Sequence, residues 1–562
     1  MQLRSPRAAR PPVLTKLPDG GGERFPVPDL LHLEPRLDLD YRQLHELLGL
    51  AFTGRSEGHL IDQALAGPAA KAAAGEDFFS RDLFVEPWAR DGLSLTLDGR
   101  RYGTNHAFLH RTLIALPQDL GTVEMRQQIL AELDADPELL RRAGRLYQRL
   151  HQLIHMFKVP GRMAELDVNA FRMELFGLAK EILDTLVDDF GEARSQLRRL
   201  HQVGLEIRQT EAYELLAALL DYSQHRAMLN VDLRVGASGK ITGLELRRVD
   251  YNRHNRFFQG PWRRWGQKLL ALVLHGFRIS DTEIIHRLVQ AVYDRIAFPL
   301  MGLGQLLGHL EVYLTQHQLR QRAARQGLAM CLPEVALDGP LELQDLFNPL
   351  LLSHHRPPVP CSLSSPDARS VTVVTGPNSG GKTRLLQALG LAQLLGQGGF
   401  YVPASRARLV CVHSLFVSLV EHEAVEHSEG RLGRELERIR AMFEAMQEPS
   451  MVLVDELCSG TNPSEGIEVF SLVLRLLEQV RPVAFITTHF LDYARELELQ
   501  PPIGDLRFLH AQVVDQRPTY QFLPGVATTS LATQVAERMG VTFEHISALI
   551  LQRRAAHSPH GT

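Results

Sequence analysis

Gly376, Pro377, Asn378, Ser379, Gly380, Gly381, Lys382 and Thr383 form a complete G-x-x-x-x-G-K-[ST] loop. The apolar run Val371-Thr372-Val373-Val374-Thr375 leads into it, and a helical pattern from Arg384 follows. A strand feeding such a turn into a helix lets successive backbone N–H groups and the helix N-terminus surround a phosphate chain. In that arrangement Lys382 reaches the β- and γ-phosphates of a nucleoside triphosphate and Thr383 ligates Mg²⁺.

Two further runs end where such chemistry would need them. Met451-Val452-Leu453-Val454 has the composition of a buried strand and ends in Asp455 and Glu456. Beside a phosphate loop, the first carboxylate holds Mg²⁺ on the Thr383 side and the second polarises the attacking water. Val483-Ala484-Phe485-Ile486-Thr487-Thr488 delivers His489. Parallel strands alternating with helices open their C-terminal ends on one side, where ligands bind. His489 is thereby placed to sense the γ-phosphate or its water. Strand-end acids and histidines can also be merely solvated; the phosphate loop upstream favours the chemical reading.

The elements that must position these residues are bounded by length and composition. A chain of 562 residues is long enough for more than one domain. Its net charge of −4 excludes a globally basic nucleic-acid coat and leaves room for a local basic patch. Cys331, Cys361, Cys411 and Cys458 are scattered without C-x-x-C spacing, which suits a reducing compartment and no zinc site. No stretch approaches the ~20 apolar residues of a membrane span, and no signal-peptide core is visible, so no membrane partner and a cytoplasmic location are expected.

Four regions are expected. Residues 1–37, rich in Pro and Gly, read as a flexible tail. Residues 38–335 read as mainly α-helical: Asp136 is an N-cap candidate, Pro137 opens a helix, and Leu139, Ala143, Leu146 and Leu150 line one face. Strict alternation over Leu229 to Val235, a turn at 236–240 and its resumption from Ile241 to Leu246 mark a β hairpin among the helices. Residues 336–550 carry the phosphate loop in an α/β P-loop NTPase domain, and 551–562 form a short tail. After the hairpin comes a basic and aromatic stretch containing Arg253, Arg256, Arg263 and Arg264 among Phe257, Phe258, Trp262 and Trp265. Its guanidinium groups suit phosphates and its rings suit stacking on bases, which makes it a DNA-contact candidate. The rings can equally be core with a solvated arginine rim.

Taken together, residues 340–550 resemble the ATPase domain of the MutS family of DNA mismatch-repair and recombination proteins. The likeness rests on the 375–383 loop, on Gly398-Gly399-Phe400-Tyr401-Val402-Pro403-Ala404, on Asp455-Glu456 with Gly460-Thr461 beyond, and on Thr487-Thr488-His489-Phe490. Tyr520-Gln521-Phe522-Leu523-Pro524-Gly525 is similar to the family's C-terminal end. The resemblance implies an ABC-like ATPase that uses ATP and Mg²⁺, preceded by a helical core and lever region. It further implies a homodimer with nucleotide sites at the subunit interface and levers that hold DNA. Asn378 would help to position phosphates and water, and Phe347 would lie near the base and ribose. The family's Gly-x-Ser-x-Phe-x-x-Glu signature completes the partner's site. Aligned on Glu435, it puts Gly430 where the serine belongs and Leu432 where the phenylalanine belongs, with Ser428 two residues early, so the loop is slipped or the trans contact altered.

The helical region starts too early to leave room for the family's mismatch-reading domain, and Phe190-Gly191-Glu192 reads as structure rather than as its wedge motif. No nuclease domain is expected after Arg554. The expected function is ATP-dependent binding to mismatched, damaged or branched DNA in repair or recombination. The alternative is an ATP-driven clamp on protein partners without direct DNA binding.

Overall fold

A computed structural model describes residues 14–16, 24–67, 79–161, 164, 167–223, 228–235, 241–250, 281–354, 356–419, 430–458, 462–515, 517–527 and 540–556. Arg253, Arg256, Arg263, Arg264 and Ser428 lie outside the described residues. The chain divides into two compact units: residues 1–70, 95–109 and 124–317 form one, and 71–94, 110–123 and 318–562 form the other.

The first unit is built on helices that include Tyr41–Phe52, Pro137–Lys158, Val168–Asp189 and Arg198–Arg208, with the long helix Asp281–Arg325 as far as His317. Asp136 caps the second of these, accepting N–H bonds from Glu138 at 2.9 Å and Leu139 at 3.1 Å. The faces buried are those with apolar residues at spacings of three and four, including Leu139, Ala143, Leu146 and Leu150. Two antiparallel strand pairs interrupt the helices, Leu95–Leu97 with Arg100–Tyr102 and Met228–Val235 with Ile241–Asp250.

The expectation of a flexible tail over residues 1–37 is corrected for the described part. Val27, Asp29, Leu30 and Leu31 are buried. The Asp29 carboxylate accepts bonds from Leu31 N–H at 2.8 Å, Arg36 N–H at 3.0 Å and the His32 ring at 2.8 Å. Arg199 donates to the Asp29 and His32 carbonyls at 3.1 and 2.6 Å, Arg126 to Leu31 at 2.9 Å, and Tyr313 to Leu30 at 2.6 Å. Prolines deny this segment a helix, but its orphaned backbone groups are satisfied by side chains arriving from distant helices. Burial alone would raise the Asp29 pKa; the hydrogen bond and charge of His32, with His309, hold it well below the usual carboxylate range.

The second unit contains a mixed sheet of six strands. Ser414–Ser418, Ser450–Val454, Val483–Thr487, Val371–Thr375 and Leu506–Val514 lie in that spatial order, each parallel to its neighbour, and Arg517–Pro524 closes the edge antiparallel. The central strands are buried on both faces, hence their continuous apolar runs. A smaller four-stranded sheet runs Glu334–Ala336, Arg406–Val410, Leu341–Leu346, Cys361–Ser365.

The helix that starts at the phosphate-loop lysine, Lys382–Gln397, is buried almost all round. Its glutamines are consequently used as staples: Gln397 exchanges bonds with Val412 N–H and carbonyl at 3.0 and 2.6 Å, and Gln393 donates to the Val410 carbonyl at 2.9 Å. Covering such a helix takes more chain than residues 336–550 supply, which moves the expected boundary. Leu83 packs at Gly390, and the Pro117 carbonyl accepts from Gln397 at 2.9 Å, so segments 79–94 and 110–123 belong to this unit.

One buried acid of the first unit gives a pH test. Glu311 is fully buried, accepting from Tyr147 OH at 3.1 Å and Asn105 N–H at 2.9 Å, and burial pushes its pKa up to about 7 from 4.5. The folded state therefore holds the proton more tightly than the unfolded chain. That stability is fully present below about 4.5 and is lost as pH rises through 7. Glu311→Gln should gain on the wild type by roughly 2 to 3 kcal/mol between pH 5 and pH 8, at about 1.4 kcal/mol per pH unit, read from urea unfolding at the two pH values.

Candidate functional site

The C-terminal ends of three parallel strands assemble the site. Val371–Thr375 runs into the 376–383 loop, Ser450–Val454 into Asp455 and Glu456, and Val483–Thr487 into Thr488 and His489. The strand ends are cross-tied by backbone bonds, Thr488 N–H to the Val374 carbonyl at 3.1 Å and Asp455 N–H to the Ser418 carbonyl at 2.8 Å.

Gly376 explains why the loop must begin on glycine. Its φ is +130°, and a Cβ there would stand 2.9 Å from the Ala511 Cβ. Asn378 and Ser379 lie in the short turn Asn378–Gly380, which ends at Gly381 with φ +89° before the helix starts at Lys382. Lys382 is buried, and its Nζ donates to the carbonyls of Gly376 at 2.8 Å and Pro377 at 3.2 Å. Burial lowers its pKa, while the Glu456 and Asp455 carboxylates oppose that shift.

The structure brings Thr383 and Asp455 into direct contact, Thr383 Oγ1 donating to Asp455 Oδ2. Thr487 donates to the other oxygen of the same carboxylate at 2.5 Å. The Thr487 hydroxyl also accepts the Glu456 N–H at 2.8 Å, so one side chain links both acidic residues. The sequence shows Thr487 as a strand residue and as part of the 487–490 motif, without a role in holding the acids; the signal available was a hydroxyl at the end of an otherwise apolar buried strand.

The segment after Asp455 is strained. Glu456 and Cys458 have φ of +50° and +58°, unusual for residues with a Cβ. Each has its amide held by a side chain, Glu456 by Thr487 and Cys458 by the Glu435 carboxylate at 2.5 Å. Burial, reinforced by the charge of the Glu435 carboxylate, pushes the Cys458 thiol up to about 12. Glu435, expected in a signature reaching a partner, thus makes a contact within its own chain from the helix Gly430–Ala445, which Gly430 opens.

His489 is exposed at the same sheet edge, its ring 4.4 Å from that of Phe490 between centroids. Phe347 corrects an expectation: it is 1% exposed, with its N–H on the Pro403 carbonyl at 3.0 Å, so its ring offers no open face for a base. Its neighbour Asn348 bonds the Arg384 carbonyl at 3.2 Å, fastening this segment to the helix after the loop.

Thr383 and Asp455 place one hydroxyl and one carboxylate together, a donor set that suits Mg²⁺, which takes few protein ligands and fills its shell with water and phosphate oxygens. Among the described residues no cluster of three or more His, Cys, Asp or Glu could hold a metal, and no helix is long and apolar enough to cross a membrane.

Residues 372–549 match the family profile of MutS domain V. That stretch, about a third of the chain, is identified as a MutS domain V. Similar proteins include the Endonuclease MutS2 of Agathobacter rectalis, 28% identical over 267 residues, 47% of this chain and 33% of that protein. The Endonuclease MutS2 of Streptococcus uberis is 32% identical over 241 residues, 42% of this chain and 29% of that protein. That of Thermus thermophilus is 28% identical over 290 residues, 51% and 37% respectively. The chain thus spans about a third of the length of the curated MutS2 relatives it matches.

Within this MutS domain V, Thr487→Val should destabilise the fold by about 1–3 kcal/mol, because the Glu456 N–H loses its acceptor and Asp455 a donor. Thr487→Ser should recover most of the loss, measured as the shift in thermal unfolding midpoint.

Proposed function

We propose that this chain binds and hydrolyses ATP with Mg²⁺ at the 376–383 loop, and couples nucleotide state to binding of DNA. The observation that carries the reading is the Thr383 to Asp455 contact beside Lys382, inside a region that matches MutS domain V.

In this reading the loop amides and Lys382 bind the phosphates, with the Lys382 ammonium exchanging loop carbonyls for phosphate oxygens. The same buried position that lowers its pKa makes an anionic partner favourable, since a buried cation is stabilised by a matching charge. Thr383 Oγ1 and Asp455 would hold Mg²⁺, which supplies charge neutralisation on the transferred phosphoryl group. Glu456 orients and deprotonates the attacking water, its backbone fixed by Thr487. His489, exposed at the same edge, reads the γ-phosphate position. The P-loop NTPase fold itself, a homodimer, and DNA as the partner follow from the family and are part of the proposal. The relatives' printed name, Endonuclease MutS2, supports action on nucleic acid.

Glu456→Gln should keep nucleotide affinity while turnover falls by about 10²-fold or more, and Lys382→Ala should weaken nucleotide binding itself, both followed by phosphate release and fluorescent-nucleotide titration. Wild-type turnover in both variants would remove the assignment.

The coupling to DNA is tested by ATP turnover with homoduplex, mismatched, branched and single-stranded DNA at two salt concentrations. Stimulation by one class, together with a salt-dependent affinity that flattens when Arg253, Arg256, Arg263 and Arg264 are reversed in charge, is the expected result. Unchanged turnover with no DNA retained at low salt would turn the reading toward a clamp on protein partners.

A further inference from the structure

Asp82 lies far from every motif in the sequence, yet its carboxylate is 1% exposed in the second unit. It accepts the Leu419 N–H at 2.7 Å and an Arg438 Nη2 hydrogen bond at 3.1 Å. The same Arg438 nitrogen donates to the Val417 carbonyl at 3.1 Å. Two groups from separate stretches of chain, one just past the Ser414–Ser418 strand and one on the helix Gly430–Ala445, are therefore drawn onto a buried anion carried by a third.

Each of the two elements it fixes touches the acidic loop. Ser418, between Val417 and Leu419, accepts the Asp455 N–H at 2.8 Å. Glu435, one helical turn before Arg438, accepts the Cys458 N–H at 2.5 Å. The network therefore reaches the 455–458 segment from both ends, and that segment contains the two left-handed residues Glu456 and Cys458. A conformation of this kind persists only where surrounding contacts over-determine it.

We infer that Asp82 is a positioning residue: through Arg438, Ser418 and Glu435 it holds Asp455 and Glu456 in register with Thr383 for metal binding and water activation. The inference rests on the nucleotide reading given above. Asp82 touches neither nucleotide nor metal in this assignment; its effect is on the geometry of the residues that do. Ligand-orienting groups of this sort typically govern metal affinity and turnover by 10- to 100-fold.

The test uses the full chain with Asp82→Asn, Asp82→Glu and Arg438→Met. ATP turnover is measured against both ATP and Mg²⁺ concentration, ADP affinity is measured in the presence of a chelator, and thermal unfolding is recorded for each variant. Asp82→Asn and Arg438→Met should lower kcat by about 10- to 100-fold and raise the Mg²⁺ concentration for half-maximal rate by about tenfold. Their metal-free ADP affinity should stay within about twofold of wild type, because the network meets the phosphate loop only where Asp455 meets Thr383 and leaves the loop amides and Lys382 in place, and Asp82→Glu should restore part of kcat. Arg438 is partly exposed, so Arg438→Met reads the same link if Asp82→Asn folds poorly. An active wild type whose kcat and Mg²⁺ curve are unaltered in both variants overturns the assignment. So does a loss of rate with an unchanged Mg²⁺ curve, which is what fewer folded molecules would give. A wild type that neither binds ADP nor hydrolyses ATP removes the nucleotide reading, and this inference with it.

Discussion

The contact between the Thr383 hydroxyl and the Asp455 carboxylate is the constraint on which the rest of the second unit depends. It joins the first turn of one helix to the end of a strand two places away in the sheet, with Val483–Thr487 between them. Such a meeting is available only when the three strands are parallel and end on one edge. Parallel order in turn requires crossover helices on the faces, and therefore strands apolar on both sides. Every residue of the Val371–Thr375 and Val483–Thr487 strands is buried, and all but three threonines are apolar. The chemistry at the edge and the hydrophobicity of the strands are two consequences of one topology.

What the topology does not supply is the conformation of the acidic loop. Two left-handed residues separated by Leu457 cost of order 1–3 kcal/mol each, and nothing in their own side chains offsets that. The compensation comes from outside, as amide bonds to Thr487 and Glu435. Glycine at either place would relax the backbone, but it would remove the Glu456 carboxylate or the buried Cys458 thiol. The fold accepts strain to keep a carboxylate near the loop lysine, where its charge offsets part of the pKa lowering that burial causes.

The phosphate loop, the two acids and the strand-end histidine were legible because each follows a short apolar run, and a run of that kind fixes where a strand stops. The helix opened by Asp136 and Pro137 was legible for the same reason, its cap and its periodicity being local properties. Phe347 was misplaced because an aromatic beside Asn348 and Pro349 carries no local mark of which way it faces, and packing against the Pro403 segment decided it. The segment around Asp29 was misread because prolines and irregular backbone look alike whether solvated or buried. Only the arrival of Arg126, Arg199, His309 and Tyr313 from remote helices distinguishes the two.

A common physical reason underlies these misses. Periodicity reports apolar burial, which is non-directional, so it shows which face of an element is inside but not what that face meets. Buried charges are directional, and each must find donors or a counter-ion because an unpaired one costs several kcal/mol. Asp29, through His309, and Asp82 and the buried acid Glu311 gather groups from distant stretches of chain, and in doing so they select one packing among many that would bury the same apolar area. Asp82 shows the consequence most clearly. It sits in a segment whose sequence offers no reason to join the second unit, yet the strand end and helix it binds are those that hold the acidic loop. The boundary of the unit is accordingly set by which chain satisfies its buried polar groups and covers the Lys382–Gln397 helix, rather than by where the recognisable motifs begin.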